Sequence, residues 1–258
     1  MWTRREVKEN GRTGMNRNYW KTVLVSLITG LLLSGGAAGA SSGGIGQRVT
    51  YYAHGAQSHG GGPAADTGNA ASSLPAGALI GIALFLTLVI LAAAAAAIAF
   101  SAFVVNPIEV GARRFFVQNL SRPAEIREMG RAFDRGYMNA VKVMFFRDLY
   151  TVLWCLLFII PGIVKSYEYR MIPYLLTEYP EMPRGEAFAR SRALMNGQKW
   201  KTFVLDLSFI GWDILSLMSL GLLGLFYVGP YKNMTDAALY EALSLGTAAG
   251  EGGERTGI

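Results

Sequence analysis

A single cysteine, Cys155, among 258 residues excludes an intrachain disulfide and a thiolate metal cluster. It stands in the apolar stretch 154–160 and reads as a small buried hydrophobe. Histidine is nearly as scarce. His54 and His59 lie five residues apart in a Gly/Ala/Ser-rich stretch with no acidic cluster at ligand spacing, so they read as loop side chains. No metal and no cofactor is expected. There is no Walker loop, G-x-S-x-G elbow or H-E-x-x-H pair, and 221–224 lies in an apolar segment without the strand that a phosphate loop needs. An enzyme is therefore not expected. Charge is short as well: charged residues make up 16% of the chain and hydrophobic ones 52%, against about 25% charged in ordinary soluble domains. The net charge of +6 does not point to nucleic acid, because Lys and Arg sit beside apolar runs, where membrane topology requires them, rather than among base-stacking aromatics.

What is present is a series of apolar segments with basic flanks. Arg4, Arg5, Lys8, Arg12, Arg17 and Lys21 precede the first apolar run, which places the N-terminus in the cytosol. From Tyr19 to Leu33 that run rises only ~22 Å as a helix, so it must extend into 34–40 to cross ~30 Å of hydrocarbon. Two readings follow. The run is either a retained span or a signal peptide cleaved after Ala40, and its long n-region with Glu6 and Glu9 favours retention. Residues 35–77 read as a flexible extracytoplasmic loop. Residues 78–105 carry no charge and would rise ~42 Å, enough to cross, with Asn106-Pro107 as the end of the helix.

Arg113, Arg114, Arg122, Arg127, Arg131, Arg135, Lys142 and Arg147 then mark a cytosolic stretch. Phe115 and Phe116 beside Arg113 and Arg114 suggest an interfacial segment whose guanidinium groups meet lipid phosphate. Pro123 with Glu125 and Glu128 suggests a helix start. A third apolar segment, 149–164, is expected to kink or break at Pro161-Gly162 and to return through 163–179, a stretch that is either spanning or re-entrant. Residues 183–196 read as an amphipathic cytosolic helix supported by a Glu186–Arg190 pair and stopped by Gly197. Further apolar segments cover 203–217 and 221–243, the latter broken at Pro230, and 246–258 reads as a disordered tail.

Ionisable residues within apolar segments are functional candidates by default. Lys165, Glu168 and Arg170 follow the Pro-Gly break. Asp206 and Asp213, seven residues apart, fall on roughly one face of a helix. They suggest a polar seam, which either conducts a proton or holds a headgroup, or is a structural salt-bridge network.

Several ordered anchors carry a family resemblance. They are Ile160-Pro161-Gly162-Ile163, Tyr167, Tyr174, Glu178, Pro180, Glu186-Ala187, Ser191, Met195, Gly197, the run from Leu207 to Trp212, Pro230-Tyr231 and Tyr240. With the stretches 5–21 and 111–120, they make the chain resemble the bacterial membrane proteins of domain-of-unknown-function family 975. The resemblance implies about six hydrophobic helices and no assigned catalytic residue or ligand; the long 35–77 loop departs from it. The expectation is thus an all-α, polytopic membrane bundle formed by residues 1–245, in the cell membrane with both termini cytosolic. Its partners would be membrane lipids and a membrane protein or a second copy. Its function would be a non-catalytic scaffold or regulator, the alternative being a small transporter or export accessory.

Overall fold

The computed structural model describes residues 2–35, 76–134 and 136–255; the 36–75 part of the expected loop, with His54, His59 and the Ala40 cleavage point, lies outside them. Every regular element among the described residues is helical. The chain opens with α1 (Arg4–Arg17), started by a capping box in which Thr3 Oγ1 accepts from the Glu6 amide at 3.3 Å and the Glu6 carboxylate accepts from the Thr3 amide at 3.4 Å. At Asn18 the chain turns into α2 (Tyr19–Gly35), and the Asn18 side-chain amide donates to the Ala124 carbonyl at 2.8 Å.

Helix α3 (Ala76–Phe100) does not end at Asn106-Pro107. A π-helical segment, Ser101–Val105, carries it into α4 (Asn106–Ser121), with the Asn106 amide bonded to the Ser101 carbonyl. The widened turn gives Pro107 a place in the first turn of α4, where its missing N–H costs nothing. The same device recurs at Pro230, which the sequence suggests as a break. There a π segment, Gly224–Val228, leads into α11 (Gly229–Arg255) without interruption. That helix also runs past Leu245 to Arg255, where the sequence predicts a disordered tail, because extending a formed helix needs no new nucleus.

After a 3₁₀ segment, Ile126–Phe133, where an α-helix start is expected, come α5 (Tyr137–Leu157), α6 (Ile159–Glu168), α7 (Ile172–Glu178), α8 (Arg184–Met195), α9 (Lys199–Leu207) and α10 (Ile210–Met218). The expected break is present, but three residues before Pro161 rather than at Pro161-Gly162. The chain reverses at the single extended residue Phe158 (φ −153°, ψ 134°), and Pro161 sits in the first turn of α6, again where no N–H is needed. Gly162 permits the close return: a Cβ there would lie 2.7 Å from Cys155 Cα. Nor do residues 163–179 form one helix, since α6 ends at Glu168 and α7 turns into the protein interior, where Ile172, Tyr174, Leu175 and Leu176 are buried. Helix α8 matches expectation, with Glu186 and Arg190 paired at 2.8 Å and Gly197 at φ +69°.

These elements divide into a packed body and apolar arms. The body joins α1, α4, α7, α8, α11 and the first half of α5 around Phe115, Phe116, Met144, Met171, Tyr174, Met234 and Tyr240. Phe115 and Phe116 are therefore core rings, not interfacial ones. From the body project α3, the α5–α6 hairpin, where Ile160 is 77% exposed, and the 210–228 hairpin, whose tip Leu220 is 93% exposed, whereas α2 packs along the body with Thr22, Val23, Val25, Ser26 and Thr29 buried. Leu220 (φ 55°) and Gly221 (φ 83°) turn that tip in left-handed conformations. Every residue from 80 to 100 with a described surface is exposed. The rod starting at Ile80 is the one helix among the described residues long and apolar enough to cross a membrane.

Candidate functional site

Of the residues expected to form a polar seam, the structure brings Arg170 and Asp206 together in one charged cluster and Lys165 and Glu168 together in another. At the centre of the first is Arg170, in the turn between α6 and α7. Its guanidinium donates to both Asp206 carboxylate oxygens, at 2.6 and 3.0 Å, and to Asp236 on α11 at 2.6 Å. The Tyr167 hydroxyl donates to the same Asp206 at 2.8 Å. One guanidinium is thus shared by two carboxylates. Burial works against the charge of Asp206, but the bidentate Arg170 and the Tyr167 hydrogen bond outweigh it and hold Asp206 below the usual carboxylate range. For Asp236 the balance reverses. Burial is its largest perturbation, Arg170 offsets it only in part, and the charge on Asp206 adds to the rise.

A second cluster continues from the first. Arg113 on α4 donates to the Tyr174 hydroxyl at 3.3 Å, to Asn233 at 3.2 Å and to Glu109 at 3.4 Å, while its Nε has no hydrogen-bond partner. Arg147 on α5 donates to Glu109 at 3.0 Å and to Asp148 at 2.8 Å, and Asn106 donates to Asp148 at 3.1 Å. Asn233 in turn donates to Ser26 on α2 at 3.3 Å. Across both clusters, three guanidinium groups face four carboxylates.

Arg113 is accordingly not a headgroup contact. It is 5% exposed, because its i,i+4 partner Glu109 and the Tyr174 ring hold it inside the body. Arg114 is turned inward too, donating to Glu128 at 3.1 Å and to the Thr177 carbonyl at 3.0 Å.

Lys165 and Glu168 form a third group with Lys199. Lys165 donates to Glu168 at 2.7 Å, Lys199 bonds the other oxygen, and Ser191 donates to the Glu168 carbonyl at 2.6 Å. Burial opposes the Glu168 charge, but the two ammonium groups prevail and hold the carboxyl below its usual value. Asp213 stands apart. The helix breaks at Ser208 and Phe209, so the seven-residue spacing does not keep it on the face of Asp206. Its side chain is 49% exposed, against 13% for Asp206, and its partner is Lys232 at 3.6 Å.

Sequence reasoning thus missed Glu109, Arg147, Asp148, Lys199, Asn233 and Asp236. Two signals were available: the i,i+4 spacing of Glu109 and Arg113, and the ionisable Asp236 among the few charges of the 221–243 segment. Several resemblance anchors are seam residues. Tyr167 binds Asp206, Tyr174 binds Arg113 and stacks on Tyr240 at 5.0 Å, and Ser191 binds Glu168. No curated protein and no solved structure matches the chain. Residues 63–246 match the profile of a family described as protein of unknown function (DUF975), and the chain belongs to that family.

Proposed function

We propose that this chain is a multi-pass component of the cell membrane with cytosolic termini, acting as a non-catalytic scaffold or regulator rather than as a conduit. In this reading 19–35, 76–105, 149–164 and 210–228 are embedded, and the body lies at the cytosolic face. Helix α6, ten residues long, rises ~15 Å and would enter the ~30 Å hydrocarbon layer without crossing it, which makes the α5–α6 hairpin re-entrant. The 210–228 hairpin would do the same. The apolar surface of these arms is too continuous for a soluble monomer and suits lipid or another membrane helix.

The observation that carries the scaffold reading is the internal pairing of the seam. Arg170, Asp206, Asp236, Glu109 and Arg147 spend their charges on one another, as a structural network does. Transport is the competing reading, favoured by the burial that raises the Asp236 carboxyl above its usual pKa. Reconstitution into liposomes holding a pH-sensitive dye separates the two. The scaffold reading expects proton flux no greater than in protein-free vesicles. Flux that disappears in Asp236→Asn, with folding retained, would replace it with transport. Cysteines placed at Leu220 and Ile160 in a Cys155→Ala background test the topology, and labelling of either by a membrane-impermeant maleimide would refute embedding.

A further inference from the structure

One face of α1, outside the seam, gathers cations that form no ion pair with a carboxylate among the described residues. Arg5, Lys8 and Arg12 stand at i, i+3 and i+7, which places them in one sector of the helix. With Asn16 and Tyr231 they line an open groove of about 620 Å³, within the ~300–1,000 Å³ range of small-ligand pockets. Glu9 lies on the same wall, yet none of the three cations is ion-paired with a carboxylate among the described residues. Lys8 reaches inward, its ammonium 4.3 Å over the Phe209 ring and 3.5 Å from the Ser208 carbonyl. Burial, and secondarily the charge of Arg4, holds Lys8 below its usual pKa, so an anion beside it would be favoured.

The groove is bordered by a graded series of surfaces. Phe209 and Tyr231 pack edge to face at 5.3 Å, Tyr231 meets Tyr227 at 5.8 Å, and Tyr227 meets Trp212 at 5.4 Å. These rings form the root of the exposed 210–228 hairpin. On the other side α1 leads through Asn18 into α2, where Trp20 is 73% exposed and the Tyr19 hydroxyl donates to the Phe226 carbonyl at 2.8 Å. Cations, then aromatic rings, then bare aliphatic surface follow in the order in which a phospholipid presents phosphate, glycerol ester and acyl chain.

We propose that this groove binds the phosphodiester headgroup of an anionic phospholipid, whose acyl chains lie along the 210–228 hairpin. Arg5 and Arg12 hold the phosphate as charge-assisted donors, and Lys8 adds a third positive charge from below. A zwitterionic headgroup is disfavoured because its ammonium would face three like charges. The proposal rests on the membrane reading above.

The test uses the purified full chain in neutral detergent, titrated separately with dioctanoyl phosphatidylglycerol, dioctanoyl phosphatidylcholine, glycerol 3-phosphate and inorganic phosphate, with bound ligand counted by native mass spectrometry. Saturable binding of phosphatidylglycerol alone is expected, weakened roughly tenfold to thirtyfold in Arg5→Gln/Arg12→Gln, from about 1 kcal/mol of electrostatic attraction per basic residue. Glu9→Gln should strengthen it. The charge-matched Arg122→Gln/Arg127→Gln variant should leave it unchanged, and an equal loss there would reduce the effect to unspecific charge attraction. Equal binding of phosphatidylcholine, or binding of the free phosphates as tight as that of the lipid, would also overturn the proposal. Extraction of the chain from membranes by carbonate would remove the membrane reading itself, whereas a retained chain without lipid preference would remove the groove alone.

Discussion

Replacing Arg170 by methionine should be among the most damaging single changes in this protein. The side chains of Arg170, Asp206 and Asp236 are 14%, 13% and 5% exposed, so the substitution strands two carboxylates where water reaches them poorly. Removing one partner from a buried ion pair costs about 3–5 kcal/mol. For a domain of this size each kcal/mol moves the melting temperature by about 2–4 °C, so the apparent midpoint should fall by roughly 6–20 °C. Thermal unfolding of the detergent-solubilised chain, followed by intrinsic fluorescence at one fixed scan rate, reads this directly. The decisive comparison is the triple variant Arg170→Met/Asp206→Asn/Asp236→Asn, which removes the stranded charges as well. It should recover at least half of the loss, because an uncharged core of similar volume replaces a buried ion cluster at little cost. A shift below about 2 °C for the single variant, or a triple variant no more stable than the single one, would refute the claim that Arg170 holds the body together by compensating these two carboxylates.

Asp236 and Glu168 set opposite pH dependences. A raised carboxyl such as Asp236 costs stability once it ionises, so acidification through its folded value should raise the midpoint, and Asp236→Asn should flatten that rise. A profile that Asp236→Asn leaves unchanged would contradict this assignment. Glu168, held below its usual value by Lys165 and Lys199, gives the reverse sign: its stabilisation is lost as pH falls through its folded value, below the ordinary glutamate range, and Glu168→Gln should remove that acid limb. Gly11→Val should loosen α1 from α11, because even a Cβ at position 11 would meet Thr235 Cα at 2.8 Å; overpacking of this kind costs about 1–3 kcal/mol and should show as faster proteolysis near residue 18. Leu220→Lys and Ile160→Lys place a charge at the two hairpin tips. If these tips lie in lipid, each should lower the membrane-integrated fraction by the ~2.5–3.5 kcal/mol of an inserted charge, and unchanged integration would move the tips into water.

The helical class, the amphipathic α8 and the existence of a charged seam were legible because they rest on local signals: apolar run length, i,i+4 spacing, and ionisable residues in apolar context. The proline readings failed for a common reason. Pro107, Pro161 and Pro230 each occupy a first helical turn, where a missing N–H is harmless, but that is visible only once the preceding π segment or the reversal at Phe158 is known. The partners of Arg113 and Arg170 were out of reach for a different reason. Asn233 lies 120 positions from Arg113, and Asp236 lies 66 positions from Arg170, separations at which spacing carries no information. Asp213 illustrates the converse error: a sound periodicity argument applied across Ser208 and Phe209, where the helix is interrupted.

The seam takes on a clearer role when its members are assigned to the roots of the apolar arms. Glu109 and Arg113 stand at the base of the rod that continues α3, Arg147 and Asp148 at the base of the α5–α6 hairpin, and Arg170 just after it. Asp206 precedes the 210–228 hairpin, Asp236 follows it, and Asn233 reaches Ser26 on α2. Apolar arms in lipid gain nothing from the hydrophobic effect by meeting one another, since the surrounding chains are equally apolar. If the arms lie in lipid, as proposed, their relative placement is imposed where they leave it. Directional, charge-assisted hydrogen bonds do this better than apolar packing, because a seam displaced by one helical turn leaves buried charges without partners. Under the proposed scaffold reading the ionic network sets geometry rather than carrying flux. Neutralising it in full should then preserve the midpoint better than it preserves the spacing of the arms, a difference that distance measurements between spin labels on α3 and at the 210–228 tip would detect.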